Sequence, residues 1–266
     1  MGALHEGHLS LARSQNDKVV ASIFVNPAQF APHEDLSKYP RTVERDIEML
    51  GKEGVDAVFL PSVEEMYPAG IVLDVKDQQG TFVEVKGKSH QMEGQIRPHF
   101  FRGVATIVTK LFNITLPTRA YFGQKDAQQC AVIRSMVRDL WMPLSIIVAP
   151  TIRESDGLAM SSRNVYLSPS EREAAPILYK ALSEGVNLFQ SGERRRSELI
   201  SAVEEVVKGE ERVQLEYLSL ADPFLLGEVD VVQDGVGAIF SGAVKVGKTR
   251  IIDNVLLGIG REQWVE

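Results

Sequence analysis

The stretch KVVASIFVNP (18–27) is a nearly continuous apolar run that ends at an Asn-Pro pair. Three similar runs follow along the chain, DAVFLP (56–61), RAYFG (119–123) and LSIIVAP (144–150). Apolar runs without alternation are typical of strands that are buried on both faces of a parallel sheet. Because helical patterns lie between these runs, they predict an α/β fold with a Rossmann-like, doubly wound parallel sheet.

The sequence changes its pattern after about residue 151. SPSEREAAPILYKALSEGVNLFQSG (168–192) predicts one helix, with a capping box of Ser168 and Glu171 and with Pro169 at its first position. SELISAVEEVVKG (197–209) predicts a second helix, and VQLEYLSLA, GAIFSGAVKVG and TRIIDNVLLG alternate like antiparallel strands. We therefore expect a Rossmann-like domain over 1–151 and a smaller C-terminal α+β domain over 152–266. A further alternating segment, IVLDVKDQ to TFVEVKG (71–87), predicts a hairpin or an edge excursion.

The composition excludes several classes of protein. The chain has 266 residues, of which 44% are hydrophobic, and its net charge of −7 argues against binding nucleic acid. A single cysteine, Cys130, excludes a disulfide framework and fits a reducing compartment. No run approaches the roughly 18 apolar residues of a membrane span, and no signal peptide is visible. We expect a cytoplasmic protein with neither nucleic acid nor membrane as a partner.

The first motif that suggests chemistry is MGALHEGHLSL (1–11), in which His5 and His8 lie on a glycine-flanked loop before a helical pattern. Imidazoles and backbone N–H groups at a helix N-terminus suit a phosphate. Two alternatives stay open: the histidines could simply face solvent, or they could ligate zinc. A zinc site needs a third protein ligand, and the remaining histidines are scattered.

A second motif, AMSSRN (159–164), places two hydroxyls and an arginine in one short loop. Such a set can donate to phosphate oxygens, although a Ser-Ser-Arg loop alone is usually a solvated turn. A third, FGQKDAQQ (122–129), follows a strand and opens a helix at the sheet edge where such folds bind ligands. There Gly123 would let a ligand approach the backbone, Lys125 would reach a phosphate, and Asp126 would bind a ribose hydroxyl, cap the helix, or do both.

Neutral side chains follow another strand, in FVNPAQF (24–30). Asn26 and Gln29 there, with Gln129, would form a polar but uncharged pocket. Such a pocket suits a small hydroxy acid better than a phosphorylated substrate, although loop glutamines are usually only solvated.

The series of motifs resembles the pantothenate synthetase (pantoate–β-alanine ligase) family, of the HxGH nucleotidyltransferase superfamily, in order and spacing over essentially the whole chain. The motifs are MGALHEGHLSL, FVNPAQF, DLSKYPRT, EGQIRPHFFRGVAT, YFGQKDAQQ, TIRESDGLAMSSRN and RIIDNVLLG. The resemblance implies ATP-dependent condensation of pantoate with β-alanine to pantothenate, AMP and pyrophosphate. It also implies a pantoyl-adenylate intermediate, Mg²⁺ with unknown protein ligands, a C-terminal domain that acts as a lid, and a homodimer.

The resemblance assigns His8 as a proton donor, with His5, Lys125 and Arg163 beside it as catalytic groups. It places pantoate on Gln29 and Gln129, with Asn26 and Tyr39 as further substrate-binding residues. The stretch APHEDLSKYPRT (31–42), which contains Tyr39, is a candidate lid. The residues assigned to ATP are Met1, Gly2, Ala3, Leu4, His5, Glu6, Gly7, His8, Gly123, Gln124, Lys125, Asp126, Ile152, Met160, Ser161, Ser162 and Arg163.

Two positions depart from the family pattern. Arg97-Pro98-His99-Phe100-Phe101 stands where the family usually has Arg-Pro-Gly-His-Phe, so no histidine role passes to His99. Gln124 replaces a glutamate that acts through its backbone, and we expect little effect.

The start of the chain carries an expectation of its own. The family has about one strand-and-helix unit before the histidine loop, and that first strand is absent here. We expect a form extended upstream by this strand to be more stable and more active than the 266-residue chain.

Two other functions compete with the ligase. A nucleotidyltransferase of the same superfamily would need an Arg or Lys pair for an acceptor phosphate near Asn26 and Gln29, where this sequence has amides. A nucleotide-binding protein without turnover is the other alternative.

Overall fold

The computed structural model describes residues 3–12, 16–30, 34–72 and 77–265, and it divides into two compact units. The first unit comprises Met1–Phe122 and Gln128–Ile147, and the second comprises Gly123–Ala127 and Val148–Glu266. Met1 and Gly2, both assigned to ATP, lie outside the described residues. The functional division into domains 1–151 and 152–266 stays a prediction.

As far as its fourth strand, the chain consists of helices with single short strands between them, and three helices lie between the second and third strands. In chain order the elements are α1 (Glu6–Ala12), β1 (Val20–Ser22), α2 (Val43–Lys52), β2 (Ala57–Phe59), α3 (Val63–Met66), α4 (Glu93–Ile96), α5 (Phe100–Thr115), β3 (Arg119–Gly123), α6 (Ala127–Asp139) and β4 (Ser145–Ala149). Strands β1 and β2 pair in parallel, with Ala21 opposite Val58, and β3 pairs with β4. All four apolar runs contain a strand, and the α/β fold class is confirmed.

The described part of the expected hairpin at 71–87 contains no strand. Its backbone is held in another way, because the N–H of Val83 donates to the hydroxyl of Thr106 on α5 at 3.0 Å. This bond to a side chain takes the place of the bond to a neighbouring strand that the alternating sequence pattern predicted. Residues 73–76 of this segment lie outside the described residues.

The histidine loop is fixed at both ends by apolar packing. Leu4 and Leu9, which flank His5 and His8, are both buried. They share one cluster with Ala21, Ile23 and Leu50. Burying two leucines stabilises the loop by roughly 1.5–3 kcal/mol each, so the polar residues between them are held in place.

The second unit contains a three-stranded antiparallel sheet covered on one face by helices. Its elements are α7 (Pro169–Ala174), α8 (Ile177–Gln190), α9 (Arg196–Lys208), β5 (Val213–Ala221), β6 (Ala238–Val246), β7 (Thr249–Leu257) and α10 (Arg261–Val265). The strand order is β5-β6-β7, and α8 and α9 bury Leu182, Leu199 and Val203 against Phe240 and Leu220. All three expected strands are present as an antiparallel sheet.

Two details of the second unit differ from the expectation. The helix expected over 168–192 is two helices, because Pro176 lies between Ala174 and Ile177 and cannot continue a helical hydrogen-bond ladder. The capping box of Ser168 and Glu171 is present. Strand β6 does not alternate, since every residue except Lys245 is buried, as suits the central strand of the sheet. Within the described residues, no helix has the length and apolar content needed to cross a bilayer.

Candidate active site

The histidine loop is anchored by a buried carboxylate. The backbone N–H of Leu4 donates to Oδ1 of Asp46 at 3.0 Å, and the hydroxyl of Thr42 donates to the same oxygen at 2.8 Å. Asp46 lies on α2 and is fully buried. A buried carboxylate that accepts a backbone N–H fixes the chain just before His5.

His5 and His8 lie side by side at the start of α1. Their ring centroids are 4.0 Å apart with a tilt of 39°, and the backbone N–H of His5 donates to Nδ1 of His8 at 3.4 Å. A neutral His8 that accepts at Nδ1 carries its proton on Nε2. Nε2 is then the nitrogen of His8 that can donate, and both side chains are partly exposed.

Asn26 forms the centre of a buried network in the first unit. Its Oδ1 accepts from the Tyr67 hydroxyl at 2.6 Å and from the N–H of Ala28 at 3.3 Å. Its Nδ2 donates to Oε1 of Gln29 at 2.9 Å and to the carbonyl of Gly103 at 3.2 Å. All four hydrogen-bonding positions of this carboxamide are occupied, and the side chain is 4% exposed. Gln129 is therefore not among its partners.

The network sets the orientation of Gln29. Because Oε1 of Gln29 faces Asn26, its amide NH₂ is the group left to face a ligand. Gln29 lies in a 3₁₀ turn, Pro27–Gln29, and is partly exposed. Its carbonyl accepts from Arg97 at 3.0 Å, and Arg97 also forms a bidentate pair with Glu34 at 2.6 and 2.7 Å.

Tyr67, the donor to Asn26, is buried beside α5. Burial raises the pKa of its hydroxyl to about 12. Its ring lies 4.1 Å from Nζ of Lys110, which donates to the carbonyl of Met66. The phenol therefore stays protonated at neutral pH and acts as a hydrogen-bond donor.

The close approach of α5 to the Gln29 turn requires a glycine. A β-carbon on Gly103 would overlap the carbonyl oxygen of Ala28 and lie 2.8 Å from its carbonyl carbon. The turn and the helix therefore touch through their backbones, and this contact brings the carbonyl of Gly103 to Asn26.

Two adjacent glutamines on the first turn of α6 have different environments. Gln128 is buried, accepts from the N–H of Glu93 at 3.0 Å and donates to the carbonyls of Lys88 and Gln91. Gln129 is only partly buried. Gln128 is thus structural, while the side chain of Gln129 is partly accessible to solvent.

The candidate lid is described only from residue 34 onward, since residues 31–33 lie outside the described residues. The Tyr39 ring packs edge-on against Phe30 with centroids 5.6 Å apart. At the altered family position, the Arg97 guanidinium lies 3.8 Å over the Phe100 ring. His99 is exposed at the N-cap of α5 and makes no side-chain capping bond.

In the second unit, residues 152–160 form a small hairpin. The N–H of Met160 donates to the carbonyl of Ile152 at 3.0 Å, Arg153 bridges to Ala159, and Gly157 turns with a φ of +94°. This hairpin brings together Ile152 and Met160, two positions that the resemblance assigned to ATP.

The hydroxyl loop continues directly from the hairpin as a 3₁₀ helix, Ser162–Tyr166. Ser161 is its N-cap, and its oxygen accepts from the N–H of Arg163 at 3.3 Å. The Ser161 proton remains available for donation, since only its oxygen takes part in the cap. Ser161, Ser162 and Arg163 are all partly exposed.

The remaining loop, Gly123–Asp126, precedes α6. Gly123 has an ordinary φ of −84°, and within the described residues no atom beyond its chain neighbours lies within 4 Å of the place where its β-carbon would be. Neither its φ nor the packing of those residues requires a glycine there. Gln124 and Lys125 are partly exposed and Asp126 is exposed. Their backbone is held by Asn254, which donates to the carbonyls of Gln124 and Lys125 at 2.9 and 3.0 Å.

The described residues contain no group of three His, Cys, Asp or Glu side chains placed to hold a metal ion. The zinc alternative thus has no third ligand in that part of the chain. Mg²⁺ is commonly bound through substrate phosphates, water and only one or two carboxylates.

Sequence reasoning missed Asp46, Tyr67 and the pair Asp253–Asn254. The pair left a signal, because two polar residues interrupt the apolar run RIIDNVLLG and both prove buried. Asp46 and Tyr67 left none, since each lies in a segment where polar residues are common.

Comparison with known proteins gives one consistent result. Residues 1–256 match the family model described as pantoate-beta-alanine ligase. The chain is 50% identical to a pantothenate synthetase of Herpetosiphon aurantiacus over 260 residues, 97% of this chain and 91% of that protein. Its identity to the pantothenate synthetase of Acidobacterium capsulatum is 54% over 261 residues, 97% of this chain and 84% of that protein.

Solved structures agree with this match. The pantothenate synthetase of Thermus thermophilus has a TM-score of 0.89 at 44% identity, covering 96% of this chain and 90% of that one. The pantoate-beta-alanine ligase of Francisella tularensis, solved with a β,γ ATP compound and β-alanine, has a TM-score of 0.76 at 34% identity. That match covers 98% of this chain and 88% of the other.

Proposed function

The chain belongs to the pantoate-beta-alanine ligase family, a family of enzymes, which confirms the resemblance; on that premise we propose that it joins pantoate to β-alanine through a pantoyl adenylate. ATP is consumed, and pantothenate, AMP and pyrophosphate are released. The Francisella tularensis relative was solved with a β,γ ATP compound and β-alanine, which supports these substrates for this chain.

In the first step, a carboxylate oxygen of pantoate attacks the α-phosphorus of ATP. The bond from that phosphorus to the bridging oxygen breaks, and pyrophosphate leaves with the electron pair. Donors that are already in place stabilise the growing charge without reorganising water. We assign this role to Nε2 of His8, to His5, and to the cations Lys125 and Arg163.

Pantoate binds through neutral donors. The NH₂ of Gln29 faces outward because its oxygen is bonded to Asn26, so it recognises an acceptor such as a carboxylate or hydroxyl oxygen. Gln129 supplies a second amide. Asn26, whose carboxamide is fully occupied, acts through Gln29 and not by direct contact with substrate.

In the second step, the amine of β-alanine attacks the carbonyl carbon of the adenylate. AMP leaves with the oxygen that came from pantoate's carboxylate, and the nitrogen loses a proton as the amide forms. Water competes with the amine, so the intermediate must be shielded. We propose that the loop containing Tyr39 provides this shielding, and that the C-terminal domain acts as a further lid.

The nucleotide is held by main chain and hydroxyl groups of the second unit. The lack of a side chain at Gly123 lets a phosphate or ribose approach the backbone, and Ile152, Met160, Ser161 and Ser162 belong to the hairpin and the loop that follows it. Gln124 contributes its backbone, and Asp126 the ribose contact. In the first unit, Ala3, Leu4, Glu6 and Gly7 bind ATP as parts of the histidine loop. Mg²⁺ would arrive with the phosphates and neutralise their charge.

One observation favours pantoate over a phosphorylated molecule as the substrate that receives the adenylyl group. The side chains of Asn26 and Gln29 are amides. Arg97, which contacts the carbonyl of Gln29, is already paired with Glu34 by two short bonds. A site with no unpaired cation among these contacts fits a hydroxy acid better than a phosphate.

The two half-reactions test the proposal. Mixing enzyme with ATP and pantoate alone should release pyrophosphate in an amount close to the enzyme concentration, because the adenylate stays bound. Adding β-alanine should then release AMP and pantothenate. A steady release of pyrophosphate only when a phosphorylated acceptor is present would favour a nucleotidyltransferase, and nucleotide binding without release would favour a binding protein.

Two further properties follow from the family. We propose that the enzyme is a homodimer and that it works in the cytoplasm, as its single cysteine suits. Light scattering on the purified chain should give about twice the chain mass, and a monomer would contradict the first proposal. Fractionation of cells that make it should recover it with cytoplasmic enzymes.

A further inference from the structure

Two adjacent residues of β7, Asp253 and Asn254, contact two different loops of the second unit. Both are buried, with exposures of 4% and 2%. Consecutive side chains of a strand point to opposite faces, so one strand reaches both loops from fixed positions. Its register is set by pairing with β6, where Asp253 lies opposite Gly242 and Asn254 opposite Ser241.

Asn254 holds the loop that carries Lys125. Its two N–H groups donate to the carbonyls of Gln124 and Lys125 at 2.9 and 3.0 Å, and its Oδ1 accepts from Nε2 of Gln124 at 3.4 Å. Carbonyl oxygens only accept, so the orientation of this carboxamide is fixed. The contacts hold two successive peptide units, and those units determine where the Lys125 side chain begins.

Asp253 holds the hairpin that leads to the hydroxyl loop. It forms a bidentate pair with Arg153 at 2.5 and 2.9 Å, and Arg153 also donates to the carbonyl of Gly157 at 3.1 Å. The Arg153 guanidinium lies 3.6 Å over the ring of Tyr179 on α8. Oδ1 of Asp253 also accepts from the backbone N–H of Asn254 at 2.8 Å, so the same oxygen contacts both Arg153 and the backbone of the next residue.

We propose that Asp253 and Asn254 are positioning residues that fix the loop of Lys125 and the loop of Arg163 relative to each other for nucleotide binding. The inference rests on the proposed function for the identity of the ligand. Neither residue touches the reacting atoms. Each acts through the backbone or the arginine that it holds.

The test is a near-isosteric change at each position, Asn254→Asp and Asp253→Asn. An aspartate at 254 places a carboxylate against two carbonyl oxygens, and an asparagine at 253 removes the charge that pairs with Arg153. Ser219→Ala is the matched control. Ser219 is a buried polar residue of the same sheet, but it bonds Glu228 instead of either loop.

Binding of a non-hydrolysable ATP analogue, measured by calorimetry, should weaken about 10- to 100-fold in both variants, the effect expected when buried partners are left unmatched. The KM for pantoate should stay within about twofold, and the control should match the wild type. If Asn254→Asp lowers the melting temperature strongly, Asn254→Ser removes the two donors without adding charge and should show the same selective loss.

Wild-type affinity for the analogue in the folded variants would overturn the inference, as would an equal rise of the pantoate KM. The wild-type enzyme separates this result from failure of the proposed function. If the wild type turns over pantoate and ATP while the variants bind nucleotide normally, only the positioning role fails. If the wild type binds no nucleotide, both fail.

Discussion

Two regions of the molecule that are assigned to substrates are organised differently. Around Gln29 in the first unit, the amide of Asn26 bonds the side chains of Gln29 and Tyr67 and the backbone of Ala28 and Gly103, so all its hydrogen bonds are satisfied by protein. Around Lys125 in the second unit, Asn254 bonds the main-chain carbonyls of Gln124 and Lys125 and the side chain of Gln124. Pre-orienting a neutral donor suits recognition of a small acid. Fixing the backbone suits a nucleotide, whose phosphates can be bound by main-chain N–H groups together with cations.

Two glycines show the same contrast. Gly103 is required by the protein itself, because a side chain there would overlap the Ala28 backbone. At Gly123 an added β-carbon meets no atom of the described residues within 4 Å, so a side chain there should disturb the packing of those residues little. Substitutions in the two regions should therefore differ in what they disturb.

The largest effect is expected at the histidine loop. His8→Ala removes a donor to the charge that develops in the first step, and such a loss typically costs about 10²–10³ in rate. Pyrophosphate release with pantoate should fall by this factor in rapid-quench measurements, with an unchanged melting temperature. His90→Ala, which alters an exposed histidine, is the control. Near-normal turnover in folded His8→Ala would remove His8 from the mechanism.

The next effect separates the two substrates. Gln29→Ala removes an oriented donor, and a site built to hydrogen-bond a substrate discriminates strongly when the partner is lost. We expect kcat/KM for pantoate to fall about 100-fold, with the KM for ATP nearly unchanged. Gln129→Ala should act in the same direction.

The control for these variants is Gln95→Ala, which changes an exposed glutamine on α4. Equal changes in the KM values of pantoate and ATP would mean that Gln29 and Gln129 support the architecture instead of binding pantoate.

A matched pair of glycine substitutions tests the contrast in packing. Gly103→Ala forces α5 away from the Gln29 turn, and overpacking of this kind costs about 1–3 kcal/mol. Urea denaturation should show that loss, together with a higher KM for pantoate. Gly123→Ala should leave the free energy of unfolding unchanged and raise the KM for ATP. Reversed results, with Gly123→Ala destabilising and Gly103→Ala neutral, would contradict the comparison.

The smallest effect is expected at Tyr67. Tyr67→Phe removes one donor to Asn26, a loss worth about 1 kcal/mol, and lets the Asn26 and Gln29 amides rotate. The KM for pantoate should rise several-fold while kcat stays close to that of the wild type. A fall in kcat with an unchanged KM would argue against a role in orienting Gln29.

The contribution of Tyr67 to the free energy of unfolding should decrease at high pH. The pKa of Tyr67 is raised from 10 to about 12 in the folded protein, so the folded state holds this proton more tightly than the unfolded state. The stability advantage of wild type over Tyr67→Phe should be constant below pH 10 and should fall steadily as the pH rises from 10 to 12, because the unfolded chain releases this proton first. A difference that grows over that range would contradict the burial of the phenol.

Local patterns in the sequence predict much of this fold. The four apolar runs and the capping box at Ser168 depend on neighbouring residues, and both were predictable. Pro176 also indicates the break between α7 and α8, which the prediction of a single helix over 168–192 did not include. The pairs that organise the substrate regions span long separations, 41 residues for Tyr67 with Asn26 and 130 for Gln124 with Asn254. A single sequence does not show which distant polar residues become partners once buried.

The central claim, that pantoate is activated as an acyl adenylate, is tested most directly by the fate of its carboxylate oxygens. Pantoate labelled with ¹⁸O in the carboxylate should be converted with ATP and β-alanine, and the AMP analysed by mass spectrometry. The account predicts one ¹⁸O atom in each AMP, because the attacking oxygen leaves with the phosphate, and unlabelled pyrophosphate. Label in the inorganic product with none in AMP would mean that pantoate attacks another phosphorus and would contradict the account.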